Sequence, residues 1–174
     1  MTLKGCFIVK KAILLLCIVC LMLPLCASAQ SVMTIKLGGA SWTLRYEETM
    51  FSLDTESYLA SNRGQHKWFG NFYNGTCTIE LAADRYDDLP ADCSLFQLAD
   101  YLSTATDFPC TVVEITDSPV PFLILSISAP MGTVYYAAAP LGGYVVHFEL
   151  YNMRGGVDAS MLQVLKTLLN GISK

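Results

Sequence analysis

The sequence is poor in positive charge. Its 174 residues include 11 Lys and Arg against 15 Asp and Glu, which gives a formal net charge of −4 at pH 7. Nucleic-acid binding requires clustered basic side chains that neutralise phosphates, and this chain has no basic run beyond its N-terminal segment. We therefore expect neither nucleic acid nor an anionic membrane surface as a partner.

The motifs of common catalytic sites are also missing. The chain contains no G-x-S-x-G, H-E-x-x-H, Walker or G-x-G-x-x-G pattern. It has only 2 histidines, which leaves few ways to assemble a Ser-His-Asp or Cys-His arrangement. A binding protein is therefore favoured over an enzyme, and we expect no cofactor.

The one long apolar run lies near the N-terminus. Lysines precede the apolar residues 12–25, and small residues follow from Cys26 to Ala29. The order of basic, apolar and small residues is typical of a secretory signal peptide. We predict that residues 1–29 are removed by cleavage after Ala29, so that Gln30 opens the mature chain.

Two alternatives to cleavage remain open. Residues 12–29 form an uncharged run at the lower length limit of a membrane-spanning helix, although Pro24 interrupts it. A lipid on Cys26 is the second alternative, although a small residue normally precedes a lipidated cysteine and this chain has Leu25.

The predicted mature chain, residues 30–174, is strongly acidic. It keeps 8 basic residues against 15 acidic ones, and its length suits one domain with its own hydrophobic core. We expect a single α+β domain that is periplasmic or secreted and is not attached to the membrane after cleavage.

Three cysteines remain in the mature chain, and an oxidising compartment favours a disulfide between two of them. Cys93 and Cys110 bracket a predicted helix and are the preferred pair. Two alternatives remain open: a disulfide between Cys77 and Cys110, and no disulfide at all.

The clearest local signal is a hairpin at Asn74-Gly75, which is a strong two-residue turn. Closing the turn there pairs Tyr73 with Thr76, and the alternation that follows separates two faces. The more apolar face is predicted to carry Trp68, Phe72, Cys77, Ile79 and Leu81. The opposite face is predicted to carry Phe69, Asn71, Tyr73, Thr76, Thr78 and Glu80.

Further strands and two helices complete the predicted fold. Ser94 caps a helix that runs to about Leu102, and a last helix runs from near Asp158 to Asn170-Gly171. Tight turns between the strands indicate an antiparallel sheet. The continuous apolar strand "FLILSIS" needs cover on both sides, which favours helices flanking the sheet in an α/β/α sandwich.

The order of these elements resembles the PsbP-like fold family. The similarity covers about Trp42 to Ile172 and is carried by "RYEETMFSLD", "VYYAAAPLGGYVVHFELYN" and "ASMLQVLKTLLNGI". The family includes a lumenal photosystem subunit and small exported bacterial proteins of the DcrB type. The resemblance implies an antiparallel sheet with helices on its faces and a non-enzymatic accessory or binding role, but no functional residue can be carried over.

Aromatic residues on the less apolar faces are the candidate binding site. The predicted registers place Phe69, Tyr73 and Tyr136 there, where rings could contact an unidentified protein or envelope component. An exported binding or accessory protein of the cell envelope is therefore the first functional hypothesis.

A small metal-dependent enzyme is the alternative. Asp84, Asp87 and Asp88 begin an acidic stretch that ends at Asp92, and clustered carboxylates suit calcium, although the spacing is not that of an EF-hand. His147 and Glu149 would share one face of a strand and could bind metal or move protons. A solvated loop and a partly exposed strand pair are the favoured interpretations of these two features.

The cleavage prediction can be tested on the natural product. We expect the exported protein to begin at Gln30, because the small residues before it fit a cleavage site. Mass spectrometry of the N-terminal peptide, isolated from cells that express the full-length sequence, reads the terminus directly. A product that still begins at Met1 would contradict the export hypothesis.

Overall fold

The computed structural model describes residues 29–56, 65–130, 132–152 and 155–174. Within these ranges the helices are α1 Leu95–Ala105 and α2 Ala159–Leu169. The strands are β1 Gln30–Leu37, β2 Ala40–Glu47, β3 Ser52–Asp54, β4 His66–Tyr73, β5 Thr78–Asp84, β6 Cys110–Ile115, β7 Leu123–Ala129, β8 Gly132–Leu141, β9 Tyr144–Tyr151 and β10 Ile172–Ser173.

The strands form two antiparallel sheets. The main sheet has the order β3-β4-β5-β9-β8-β7-β6, and a small sheet has the order β1-β2-β10. The predicted class, antiparallel α+β, is confirmed. The second sheet was not predicted, because the two-residue strand β10 follows the last helix and pairs with β2, far away in sequence.

The two faces of the main sheet pack against different partners. Its inner face, which includes Ile79, Leu81 and Phe148, packs against the small sheet and α2 in one core. Its outer face packs at one end against α1, where Leu98 lies among Leu123, Leu125, Ala138 and Val145. The inner face is therefore covered by a second sheet as well as by a helix.

The first helix begins at its predicted cap, and the last helix begins near Asp158 as predicted. Ser94 accepts a hydrogen bond from the backbone N–H of Gln97, whose side chain reciprocally contacts the Ser94 N–H, which forms a capping box. The Asp158 side chain accepts from the backbone N–H groups of Ser160 and Met161. These bonds satisfy donors that the first turn of a helix leaves free. The end of α1 lies three residues beyond the predicted Leu102.

The β4–β5 hairpin is present, but its predicted register is wrong. Tyr73 pairs with Thr78 and Phe72 with Ile79, because the connection has four residues, Asn74 to Cys77, instead of two. The shift is two residues, so the strand alternation keeps Phe72 and Cys77 in the inner core.

A β-bulge between Trp68 and Gly70 reverses which face of the sheet each side chain occupies at the N-terminal end of β4. Trp68 pairs with Ala82 and lies on the outer face, while Phe69 is partly buried against the inner core. The predicted positions of these two rings are therefore reversed. An extra residue in one strand inverts the alternation beyond it, and no turn signal marks that position.

The predicted disulfide between Cys93 and Cys110 is not formed, and both are free thiols, as is Cys77. The 11 residues of α1 carry the chain away from Cys93 by roughly 16 Å. Cys110 remains near the C-terminal end of the helix, where its thiol is hydrogen-bonded to the Ser103 side chain. Burial raises the pKa of all three thiols, so none of them is activated as a nucleophile.

Among the helices that the structure describes, none has the length and apolar character needed to cross a membrane. The predicted signal peptide and the lipid alternative at Cys26 lie outside the described residues, apart from Ala29. That residue accepts a hydrogen bond from the backbone N–H of Glu48, and β1 begins directly after it.

Two hairpin turns touch where the small sheet meets the main sheet. Gly38, between β1 and β2, and Gly142, between β8 and β9, both have positive φ. A Cβ atom added to Gly38 would lie 1.8 Å from the carbonyl oxygen of Gly142. The two backbones can approach this closely only because neither residue has a side chain.

Substitution of Gly38 by Ala should therefore destabilise the fold strongly. We expect the free energy of unfolding to fall by at least about 3 kcal/mol, because backbone must move to admit the methyl group. Gly39→Ala is the matched control, since Gly39 also has positive φ but has no atom within 4 Å of an added Cβ; it should cost about 1 kcal/mol. Urea denaturation measures both values. Equal losses would show that the contact between the turns contributes nothing.

Candidate functional site

Both histidines of the chain contact one carboxylate on the outer face. His66 Nδ1 lies 2.7 Å from Asp84 Oδ1, and His147 Nε2 lies 2.9 Å from Asp84 Oδ2. The sheet brings them together because β4, β5 and β9 are neighbours, with His66 directly opposite Asp84. His147 lies diagonally across from Asp84, opposite Ala82.

The two histidines set the charge state of Asp84. Burial opposes ionisation of this carboxyl, but the hydrogen bonds to His147 and His66 outweigh burial and lower the pKa of Asp84. An ionised carboxylate only accepts hydrogen bonds, so each imidazole presents an N–H to it. The arrangement therefore fixes the orientation of both rings.

His147 also connects Asp84 to two tyrosines. Its ring stacks on Tyr136, with centroids 4.9 Å apart and an interplanar angle of 20°. The side chains of Tyr136 and Tyr86 are hydrogen-bonded, and burial raises the pKa of both hydroxyls. Nδ1 of His147 is buried without a hydrogen-bond partner. A continuous set of polar groups thus crosses the outer face from β4 to the loop before α1.

Beside this set lies an open groove, which we call the outer groove. It consists of two adjoining pockets of about 380 Å³ and about 470 Å³. Phe108, Ala129 and Val134 line both pockets. The rest of the lining consists of Tyr86, Leu102, Ala105, Thr106, Cys110, Leu125, Ile127, Pro130, Gly132, Thr133, Tyr136, Glu149, Tyr151, Asn152 and Gly155.

Glu149 is the only charged residue among the described residues that line the outer groove. Burial and repulsion from Glu80 raise its pKa, while His147 acts in the opposite direction. Glu80 and Glu149 lie directly opposite each other on β5 and β9. The groove thus combines mostly apolar walls with one carboxyl and two tyrosine hydroxyls at one end.

The three aromatic residues predicted as a binding site are not brought together. Tyr136 lines the outer groove. Tyr73 is 39% exposed at the far end of β4, and Phe69 packs against the inner core. Only Tyr136 therefore contributes to the groove.

The acidic stretch predicted as a metal site is also divided between different contacts. Asp84 faces the histidines, and Asp87 accepts a hydrogen bond from the Gln65 side chain at 2.9 Å. Asp88 is exposed. Across the described part of the chain, no group of three or more His, Cys, Asp or Glu side chains could hold a metal ion.

His66 is the member of the site that the sequence did not reveal. It lies in a polar stretch, and the predicted hairpin register would have placed it opposite Ala83. The longer turn and the bulge together move it opposite Asp84. His147 and Glu149 do share one face, as predicted, but Glu149 lines the outer groove while His147 contacts Asp84.

Comparison with known proteins yields no relative from which a role could be transferred: no family model matches the chain, and no curated protein matches it.

Replacing Asp84 tests whether its contacts with His66 and His147 stabilise the fold. Because folding lowers the pKa of Asp84, its ionised carboxylate stabilises the fold at pH values above 3.8, the ordinary pKa of this group. This contribution to stability is lost as the pH falls through the folded-state pKa. We expect Asp84→Asn to lower the free energy of unfolding by about 2 kcal/mol at pH 7, since it removes charge-assisted hydrogen bonds. The difference from the unmodified protein should shrink towards pH 2.

Asp87→Asn is the control for this measurement, because Asp87 is exposed and should change stability by less than about 0.5 kcal/mol. Denaturant unfolding at successive pH values from 7 to 2 gives both curves. A difference for Asp84→Asn that does not change across this range would argue against an ionised, histidine-bound carboxylate.

Proposed function

We propose that the chain is an exported, non-enzymatic binding protein of the cell envelope, and that its ligand occupies the outer groove. The observation that supports this most strongly is the groove itself. Small-molecule sites are concave, mostly apolar and of about 300–1,000 Å³, with a few polar groups that fix the orientation of the ligand. The outer groove has these properties.

The placement of titratable groups supports the same proposal. Groups with shifted pKa values gather at functional sites more often than elsewhere. Glu149, Tyr86 and Tyr136 have raised pKa values, and all three line the same end of the groove. The ligand is therefore an envelope component with a large apolar part and a polar group at one end.

Export is proposed from the N-terminal sequence, with its basic, apolar and small residues in order. The start of β1 at Gln30, the residue that would follow cleavage, is consistent with this. Three free thiols can coexist with export, because Cys77 and Cys93 are buried.

A PsbP-like α/β/α arrangement is proposed for the fold. The contacts of α1 with the outer face and of α2 with the inner face support it. The small sheet on the inner face would then be an addition to the arrangement of that family.

The proposed function predicts that the groove binds an apolar probe. N-phenylnaphthylamine, which is neutral and fluoresces in apolar surroundings, should bind the purified protein with a saturable increase in emission. Val134→Glu should abolish this increase, because Val134 lines both pockets and a carboxylate there would require desolvation.

Val32→Glu is the matched control. Val32 is 62% exposed on β1 and does not line the groove, so the substitution should leave probe binding unchanged. Circular dichroism verifies that both variants fold. Absence of saturable binding to the unmodified protein, or equal binding by a folded Val134→Glu variant, would refute the proposed site.

A further inference from the structure

The charge of the outer groove indicates the kind of ligand it accepts. Glu149 lies at one end of a mostly apolar lining, and the described lining residues include no Lys, Arg or His. The walls suit an apolar chain, so the polar part of the ligand must be compatible with this carboxyl.

We propose that the ligand of the outer groove is a cationic amphiphile, with an apolar chain along the groove and a protonated amine bound to the Glu149 carboxylate. This inference rests on the proposed function and adds the chemical class of the ligand to it.

The neighbours of Glu149 favour a cation. Glu80 lies directly opposite on β5, and like charges in opposite positions of adjacent strands repel each other. An ammonium group bound to Glu149 would relieve this repulsion. A carboxylate or phosphate in the same place would add a further negative charge to the pair.

Among the described neighbours of Glu149, His147 acts to lower the pKa of this carboxyl. His147 lies on the same face of β9, but its Nε2 is hydrogen-bonded to the Asp84 carboxylate, so this ring already has a carboxylate partner. Tyr86 and Tyr136 are neutral hydroxyls, and their oxygens can accept hydrogen bonds from an amine. A ligand amine is therefore complementary to the titratable groups around Glu149.

The net negative charge of the protein also favours a cationic ligand. The predicted mature chain has 15 acidic residues against 8 basic ones, and an acidic protein raises the local concentration of cations around it. An ammonium inside the apolar groove would then form a charge-assisted hydrogen bond, which is stronger than a neutral one.

Three ligands with the same ten-carbon chain test the proposal. Decylamine, decanol and decanoate carry head groups that are cationic, neutral and anionic at pH 7. Displacement of N-phenylnaphthylamine, measured below the micelle-forming concentration of each compound, gives their affinities. We expect decylamine to bind at least about tenfold more tightly than decanol, and decanoate to bind most weakly.

Glu149→Gln identifies the group responsible. This substitution keeps the shape of the side chain and removes its charge, so decylamine should lose its advantage over decanol. Glu48→Gln is the matched control for net charge, because Glu48 is exposed near β2 and a glutamine oxygen can still accept the bond from Ser31. This variant should keep the preference for decylamine.

The possible outcomes separate the two proposals. If the probe binds but the three compounds displace it equally, or decanoate displaces it best, the cationic ligand is refuted and the groove remains a binding site. A preference for decylamine that survives in Glu149→Gln also refutes it. If neither the probe nor any of the three compounds binds, the proposed function fails together with this inference.

Discussion

The strict alternation of side chains in the central strand β9 is the constraint on which the site depends. Val146, Phe148 and Leu150 lie in the inner core, so His147 and Glu149 must lie on the outer face. The short helix α1 covers only one end of that face. Glu149 therefore lies between a packed helix and open solvent and is partly buried, while His147 is buried.

Partial burial gives the outer face its chemical character. A fully buried carboxyl would require a fixed partner, and a fully exposed one would behave as it does in water. Asp84 is hydrogen-bonded to His66 and His147, and these bonds link side chains of three adjacent strands. Glu149 has a raised pKa and faces a groove instead. Asp84 thus makes hydrogen bonds within the sheet, while Glu149 faces the groove in which we propose that the ligand binds.

The sequence predicted the features that depend on local signals. The cap at Ser94, the start of the last helix near Asp158, its end at Asn170 and the inward position of Cys77 are all set within a few residues of the chain, and the structure confirms them. Local signals do not predict which distant segments of the chain pair with each other. The small sheet requires β10 to meet β2, and the histidine pair requires both a longer turn and a one-residue bulge in β4. No residue pattern near His66 indicates that bulge.

Amide chemical shifts can locate the ligand on the protein. Isotope-labelled protein would be titrated with decylamine and followed by two-dimensional NMR. A ligand site in the outer groove predicts that shift changes concentrate in β7, β8, β9 and the segment around Phe108. Changes confined to the turn from Asn74 to Cys77 or to the small sheet, or no changes at all, would contradict it.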